Sequence, residues 1–325
     1  MKILCTRNFP GDLRMLGTVA ADSPAGMDFE LMPPTGKLAG NPDRVKELTE
    51  MASAVLTCDL WSTAKIKKTF PSLPLLLMPH NACAVKAHYW FQNVLDVADM
   101  FLCTGRTLRQ KTQLLHPGAN VLDIPYPRLK RYREKSLQAG EPQYDLVFAC
   151  TAYPHYPRLI GIKQEYAYWH ELIPQLAAEG YRIAVLRHQD DVGLDEIPGV
   201  AYFDQPNPKK LFSGRAVISD IASNGLIAAV LDKPVLQVID REGEAVPYFA
   251  SHRGFINLRF EIGLRFGKDW KAETLADTYP FGEKGETLWH RYRKQASSHI
   301  NDRMDNFEFY SRLADTVSTG RLLKV

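Results

Sequence analysis

Residues 215–236 read RAVISDIASNGLIAAVLDKPVL. The run from Arg215 to Ser219 is apolar without alternation, the pattern of a strand covered on both faces. A polar turn follows, Asp220-Ile221-Ala222-Ser223-Asn224-Gly225, and then an Ala/Leu-rich helical stretch as far as Asp232. Lys233-Pro234 punctuates it, and PVLQVI at 234–239 reads as the next buried strand. Strand, helix and strand in this order make a βαβ unit of a parallel sheet. The first backbone N–H groups of the helix, with the Ser223 hydroxyl, the Asn224 amide and Gly225 beside them, form an anion site suited to a pyrophosphate, with Asp220 at the strand's end. The competing reading makes Ser223 an N-cap and Asp220 a turn former.

The same grammar recurs along the chain. Short apolar runs at 2–5, 54–58, 75–78, 100–103, 121–124, 145–150 and 182–186 are each followed by polar or turn residues. Between them, 42–53 begins behind Asn41 with Pro42 as first helical residue, and 163–179 carries an apolar stripe ending at Gly180. Residues 286–318 read mostly as long helix. The expected fold is α/β, two Rossmann-like domains with parallel sheets. The polar segment 128–143, with Gly140 and Pro142, places the boundary at 140, giving domains 1–140 and 141–325. In such sheets ligands bind beyond the strands' carboxyl ends, where the polar tags fall.

Composition agrees. A chain of 325 residues has room for about two domains. With 45% apolar and 24% charged residues it is neither disordered nor collagen-like. A net charge of +3 argues against nucleic acid as partner. Five scattered cysteines without a C-x-x-C pair point to a reducing compartment and to no zinc or disulfide framework. MKILCTRNFP lacks the roughly 7–15 apolar residues of a secretory leader, and no run approaches the roughly 18 of a membrane span. The expected location is cytoplasmic. Gly36-Lys37 fails as a phosphate loop because Leu31 and Leu38 stand where glycine and Ser/Thr are needed. G-x-G-x-x-G, H-E-x-x-H, G-x-S-x-G and D-x-D are all missing, and nothing calls for a metal or cofactor.

Two histidines follow buried runs. His188 stands beside Arg187 after RIAVL, a titratable donor next to a cation. His80 follows LPLLLMP and precedes Asn81; with an ordinary pKa of about 6.5 it suits a general base near neutral pH. Thr151 takes the same position after DLVFAC. Arg128, Lys130, Arg131, Arg133 and Lys135 form a basic run that would attract an anionic membrane surface, or serve as the solvated face of an interdomain helix.

Taken in order, these segments resemble the CDP-glycerol glycerophosphotransferase family, the teichoic-acid primases and polymerases of GT-B fold. Pro79-His80-Asn81 with Lys86 is similar to the family's strand followed by His-Gly and a lysine. DMFLCTGRT at 99–107, IPYPR at 124–128, LVFACT at 146–151 and VLRH at 185–188 resemble further family segments. LFSGRAVISDIASNGLIAAVLDKPVL at 211–236 resembles the block Leu-Leu, strand, Ser/Thr-Asp-Tyr-Ser-Ser, helix, Lys-Pro. Asn81 replaces the family's glycine, and Ile221-Ala222 replace Tyr-Ser. Residues 216–247 also resemble nucleotide-sugar 2-epimerases, through Asp240-Arg241-Glu242-Gly243-Glu244. The resemblance implies a GT-B transferase moving glycerophosphate or a related polyol phosphate from a CDP-activated donor to a hydroxyl of a cell-surface glycan or lipid-linked acceptor. His80 and His188 would be catalytic, and Arg187, Asp220, Ser223, Asn224 and Gly225 would hold the donor diphosphate, with Asn81 and Thr151 as additional residues. The alternatives are a GT-B glycosyltransferase using a UDP- or CMP-sugar for capsule or lipopolysaccharide synthesis, and a catalytically silent nucleotide-binding subunit. The protein would work in the cytoplasm, with the basic run against the inner face of the membrane.

Overall fold

A computed structural model of the chain describes residues 1–6, 10–38, 40–58, 62–79, 96–149, 165–188, 196–219, 222–238, 264–266, 272–277, 280–284, 286–302 and 306–319. Two compact units emerge, Met1–Arg128 with His299–Val325, and Leu129–Ser298.

In the first unit β1 (Lys2–Cys5), β2 (Asp28–Leu31), β3 (Ala54–Thr57), β4 (Leu75–Leu77), β5 (Met100–Cys103) and β6 (Val121–Asp123) form one parallel sheet in the order β2-β1-β3-β4-β5-β6. Leu4, Val55 and Leu75 lie in register across β1, β3 and β4. They pack with Leu48 and Ile66 from two covering helices, Pro42–Met51 and Thr63–Thr69, and with Phe70 at the C-cap of the second. The first of these starts as expected: Asn41 accepts from the Arg44 N–H at 3.1 Å, and Pro42 occupies a first-turn position where no hydrogen bond is lost. The chain's last described helix, Asn306–Ser318, belongs to this unit: the Tyr310 hydroxyl donates to the Val19 carbonyl, and its ring meets Phe29 edge-on at 5.9 Å.

In the second unit β7 (Tyr144–Phe148), β8 (Ile183–Arg187), β9 (Ala201–Asp204), β10 (Gly214–Ser219), β11 (Val235–Val238) and β12 (Leu264–Phe266) are again all parallel, ordered β12-β11-β10-β7-β8-β9. Winding runs from β7 outward through β8 to β9, then restarts on its other side with β10. The switch of direction between β7 and β10 is where an open parallel sheet parts its loops and leaves a crevice. Helix Ser223–Val230 follows β10 and is buried from Gly225 to Val230, since it packs on the sheet with one face and on helix Glu286–Ala296 with another.

The leading segment of the first unit ends at Arg128 and the second unit begins at Leu129, within the polar segment 128–143. Leu129 and Tyr132 of helix Leu129–Leu137 are buried in the second unit, and Gly140, at φ +66°, marks the turn from that helix towards β7. The stretch 286–318 is two helices, Glu286–Ala296 and Asn306–Ser318, with the passage from second unit to first between them. At that passage the His299 backbone lies so close to Gly105 that a Cβ there would sit 2.1 Å from the His299 carbonyl oxygen. Finally, β2, β9 and β12 are strands additional to the runs read from sequence.

Candidate functional site at the switch point of the second sheet

β10 is buried at every position except Arg215, which explains its unbroken apolar run. It ends in Ser219, whose buried hydroxyl donates to the Ala149 carbonyl at 2.8 Å. Ala149 follows β7 directly, and its N–H donates to Ile218 at 2.9 Å. The two strands flanking the switch are thereby held together up to their last residue. Beyond them the chain turns into helix Ser223–Val230. Its N-cap position is Ala222, in extended geometry (φ −71°, ψ 148°), so Ser223 is the first helical residue and not the cap. Alanine has no acceptor to offer the first N–H groups, and the first turn carries no acidic residue. Ser223 and Asn224 are the half-exposed residues of an otherwise buried helix. Such a helix end presents partial positive charge towards the crevice.

β8 runs alongside β7 and delivers Arg187 and His188 to the same carboxyl edge. Arg187 donates to the Glu196 carboxylate at 3.0 Å, and its guanidinium lies 5.2 Å from the centre of the Tyr202 ring. Its charge is therefore shared with an acidic partner at this edge. His188 is half-buried. The Asn224 side chain donates to Gln205 Oε1 at 3.0 Å and accepts from the Tyr132 hydroxyl at 3.4 Å. Gln205 in turn donates from Nε2 to the Leu186 carbonyl at 2.7 Å. Gln205 and Tyr132 are absent from the candidates in the sequence; the signal for Gln205 is the polar tag Asp204-Gln205-Pro206-Asn207 behind AYF, the pattern that marks the other strand ends.

The structure brings Arg187, His188, Ser223, Asn224 and Gly225 to one sheet edge. His80, Asn81, Thr151 and Asp220 lie outside the described residues. Lys233 serves the opposite edge. Its ammonium donates to the Gly214 carbonyl at 2.7 Å, and burial lowers its pKa. In the basic segment Lys130, Arg131 and Arg133 are exposed on helix Leu129–Leu137. Lys67, on helix Thr63–Thr69 of the first unit, is held by Asp99 at 2.7 Å as a structural pair.

Other groups are less suited to chemistry. The Cys5 and Cys103 thiols are buried, and desolvation pushes both pKa values far up, so neither is a ready thiolate. A cavity of about 460 Å³ bordered by Met1, Gly26, Met27 and Met51 opens at the amino ends of β1 and β2, the edge where parallel sheets do not carry ligands. Among the described residues no three His, Cys, Asp or Glu side chains cluster as metal ligands.

No family model matches the chain, and no curated protein does. Solved structures do. A putative UDP-N-acetylglucosamine 2-epimerase from Listeria monocytogenes aligns over 100% of this chain and 97% of its own, with a TM-score of 0.61 at 11% identity. The wall teichoic acid polymerase TagF aligns over 100% and 90%, with a TM-score of 0.54 at 12% identity. Anabaena HepE in complex with UDP-glucose aligns over 98% and 100%, with a TM-score of 0.53 at 13% identity. The chain thus has the GT-B fold, two Rossmann-like units with parallel sheets. Among the described residues no helix is long and apolar enough to cross a membrane.

Proposed function

We propose that the protein is a GT-B transferase whose second unit binds a nucleotide-diphosphate-activated donor at the switch between β7 and β10. One observation carries this reading: the polar start of helix Ser223–Val230, without acidic residue or side-chain cap, stands at the carboxyl edge that also receives Arg187 and His188. The Ser223 hydroxyl and the backbone N–H groups of the first turn, those of Asn224 and Gly225 included, meet the diphosphate, with Asp220 and Thr151 beside it. His188 donates to it, and Arg187 supplies charge. Stabilising a transferring phosphoryl group in this way contributes more to the rate than proton removal does.

In the version closest to the sequence resemblance the donor is CDP-glycerol or a related CDP-polyol. The acceptor hydroxyl, on a cell-surface glycan or lipid-linked chain, forms a new O–P bond to the β-phosphorus. The P–O bond to the α-phosphate breaks, CMP leaves with that electron pair, and His80 takes the hydroxyl proton, with Asn81 next to it. The exposed cations Lys130, Arg131 and Arg133 of helix Leu129–Leu137, with Arg128 and Lys135 beside them in sequence, face an anionic membrane surface in this version. Solved neighbours of the same fold include one holding UDP-glucose, which favours a second reading in which a sugar is transferred and the nucleotide leaves as UDP.

The nucleotide released separates the two. Incubating the full chain with CDP-glycerol, CDP-ribitol, UDP-sugars and CMP-sugars, each with a hydroxyl acceptor, and resolving products by mass should show CMP with glycerophosphate or ribitol phosphate on the acceptor. UDP with a sugar on the acceptor moves the assignment to the second reading. CMP with a sugar on the acceptor identifies a glycosyltransferase using a CMP-sugar.

A further inference from the structure

We infer that Gln205 is a positioning residue, which registers the end of β8, with Arg187 and His188, against the start of helix Ser223–Val230. The inference rests on the reading that these two edges together hold the donor diphosphate. Gln205 follows β9 and reaches both. Its backbone N–H donates to the Arg187 carbonyl at 2.8 Å, its Nε2 to the Leu186 carbonyl at 2.7 Å, and its Oε1 accepts from Asn224 Nδ2 at 3.0 Å. The Tyr132 hydroxyl, 3.4 Å from Asn224 Oδ1, closes the chain.

The polarity of this chain follows from one backbone group. A carbonyl oxygen only accepts, so Leu186 requires the amide nitrogen of Gln205. That turns Oε1 towards Asn224, which must then present its own nitrogen. Asn224 Oδ1 is left facing Tyr132, whose hydroxyl must donate. Asn224 is the second residue of the helix, so a fixed Asn224 side chain fixes the rotation of the first turn and the direction of its N–H groups. The Asn224 carboxamide thus acts through Gln205 on where His188 and the helix start stand relative to each other. Tyr132 is buried and Gln205 and Asn224 are half-buried, where such bonds are less diluted by water than at an open surface.

The test uses the full chain with Gln205→Ala, Gln205→Glu, Asn224→Ala and the double variant Gln205→Ala/Asn224→Ala. Amide hydrogen exchange is followed by mass in peptides covering 183–188 and 222–230, and affinity for CDP and UDP is measured by titration. Gln205→Ala should speed exchange in both peptides by about 3- to 10-fold, the scale of one or two lost hydrogen bonds, and leave 144–149 unchanged. Nucleotide affinity should fall by a similar factor. Gln205→Glu should behave like Ala despite its shape, because a carboxylate has no N–H for Leu186. The double variant should be no worse than the poorer single one, as expected for one shared chain. Unchanged exchange at 222–230 in Gln205→Ala, or parental behaviour of Gln205→Glu, overturns the inference. If Gln205→Ala does not fold, Tyr132→Phe, which deletes a single hydroxyl, must still speed exchange at 222–230, and its failure to do so has the same meaning. Coupled exchange in a protein that binds neither CDP nor UDP would keep the register role and overturn the donor-site reading instead.

Discussion

Three residues separate the proposed roles by what their loss should do. Ser223→Ala removes one hydroxyl from the first turn of helix Ser223–Val230, where Ala222 holds the cap position, so the helix keeps its cap geometry. Affinity for a nucleoside diphosphate should fall by about 0.5–1.5 kcal/mol, the net worth of one hydrogen bond, with the melting temperature nearly unchanged. The opposite pattern, stability lost and affinity kept, would assign Ser223 to structure. His188→Ala should weaken donor binding first. His80→Ala should leave donor affinity in place and lower turnover by about 10²–10⁴-fold, the usual contribution of a positioned base. Full turnover in a folded His80→Ala protein would remove the proposed base. His299, fully buried, is a residue-scale effect of another kind: desolvation lowers its pKa to about 4. Its unfolded value is about 6.5, so between these limits the unfolded chain binds more protons. The stability His299 contributes is present above about pH 6.5 and is lost as pH falls towards 4, with about 3 kcal/mol at stake. Urea midpoints of parent and His299→Gln across this window should converge as pH drops; parallel curves would refute the assignment.

At the scale of elements, what the sequence shows depends on position in the sheet. β1, β3, β4, β5, β7, β8, β10 and β11 are interior strands, and each appears as a short, predominantly apolar run. β2, β9 and β12 are edge strands, and DFEL and AYFD carry charge because one side needs no cover. Edge β6 was legible only because Pro125-Tyr126-Pro127 terminates it. For the same reason the site was half legible. Arg187, His188 and Ser223 follow interior strands, whereas Gln205 follows an edge strand that the apolar pattern does not mark. The partner Tyr132 lies in a segment whose charge suggested a linker or a lipid contact, although Leu129 and Tyr132 at helical spacing are buried. Close packing of β10 on β7 yields an element-scale prediction. A Cβ at Gly214 would lie 2.7 Å from Val147 Cγ2, 3.0 Å from the Ala216 carbonyl and 3.3 Å from the Val147 nitrogen. Gly214→Ala should therefore cost about 1–3 kcal/mol of stability in urea unfolding, as overpacked sites do, and Val147→Ala added to it should recover part of the loss. An unaltered midpoint in Gly214→Ala would mean that the two strands are less tightly apposed.

For the molecule as a whole, the C-terminal helix makes the first unit discontinuous in sequence: residues 1–128 need the returning 299–318 to complete it. The returning chain passes close over Gly105, so Gly105→Ala should destabilise the protein by about 3 kcal/mol, the upper end for an overpacked site, since the group it meets is backbone and cannot swing away. A Gly105→Ala midpoint equal to the parent's would show that the crossing does not press on this turn. The proposed function makes donor binding a property of the second unit's switch point, and this can be measured without knowing the acceptor. A ligand that binds only the native state raises its stability by about 2.7 kcal/mol at a hundred times its dissociation constant. The decisive measurement is the melting temperature of the full chain with and without CDP-glycerol, CDP-ribitol, UDP-sugars and CMP-sugars, compared between parent and Ser223→Ala. The account predicts a concentration-dependent rise for at least one nucleotide donor that needs higher ligand concentration in the variant; melting curves that stay flat across the whole panel at millimolar concentration would contradict it.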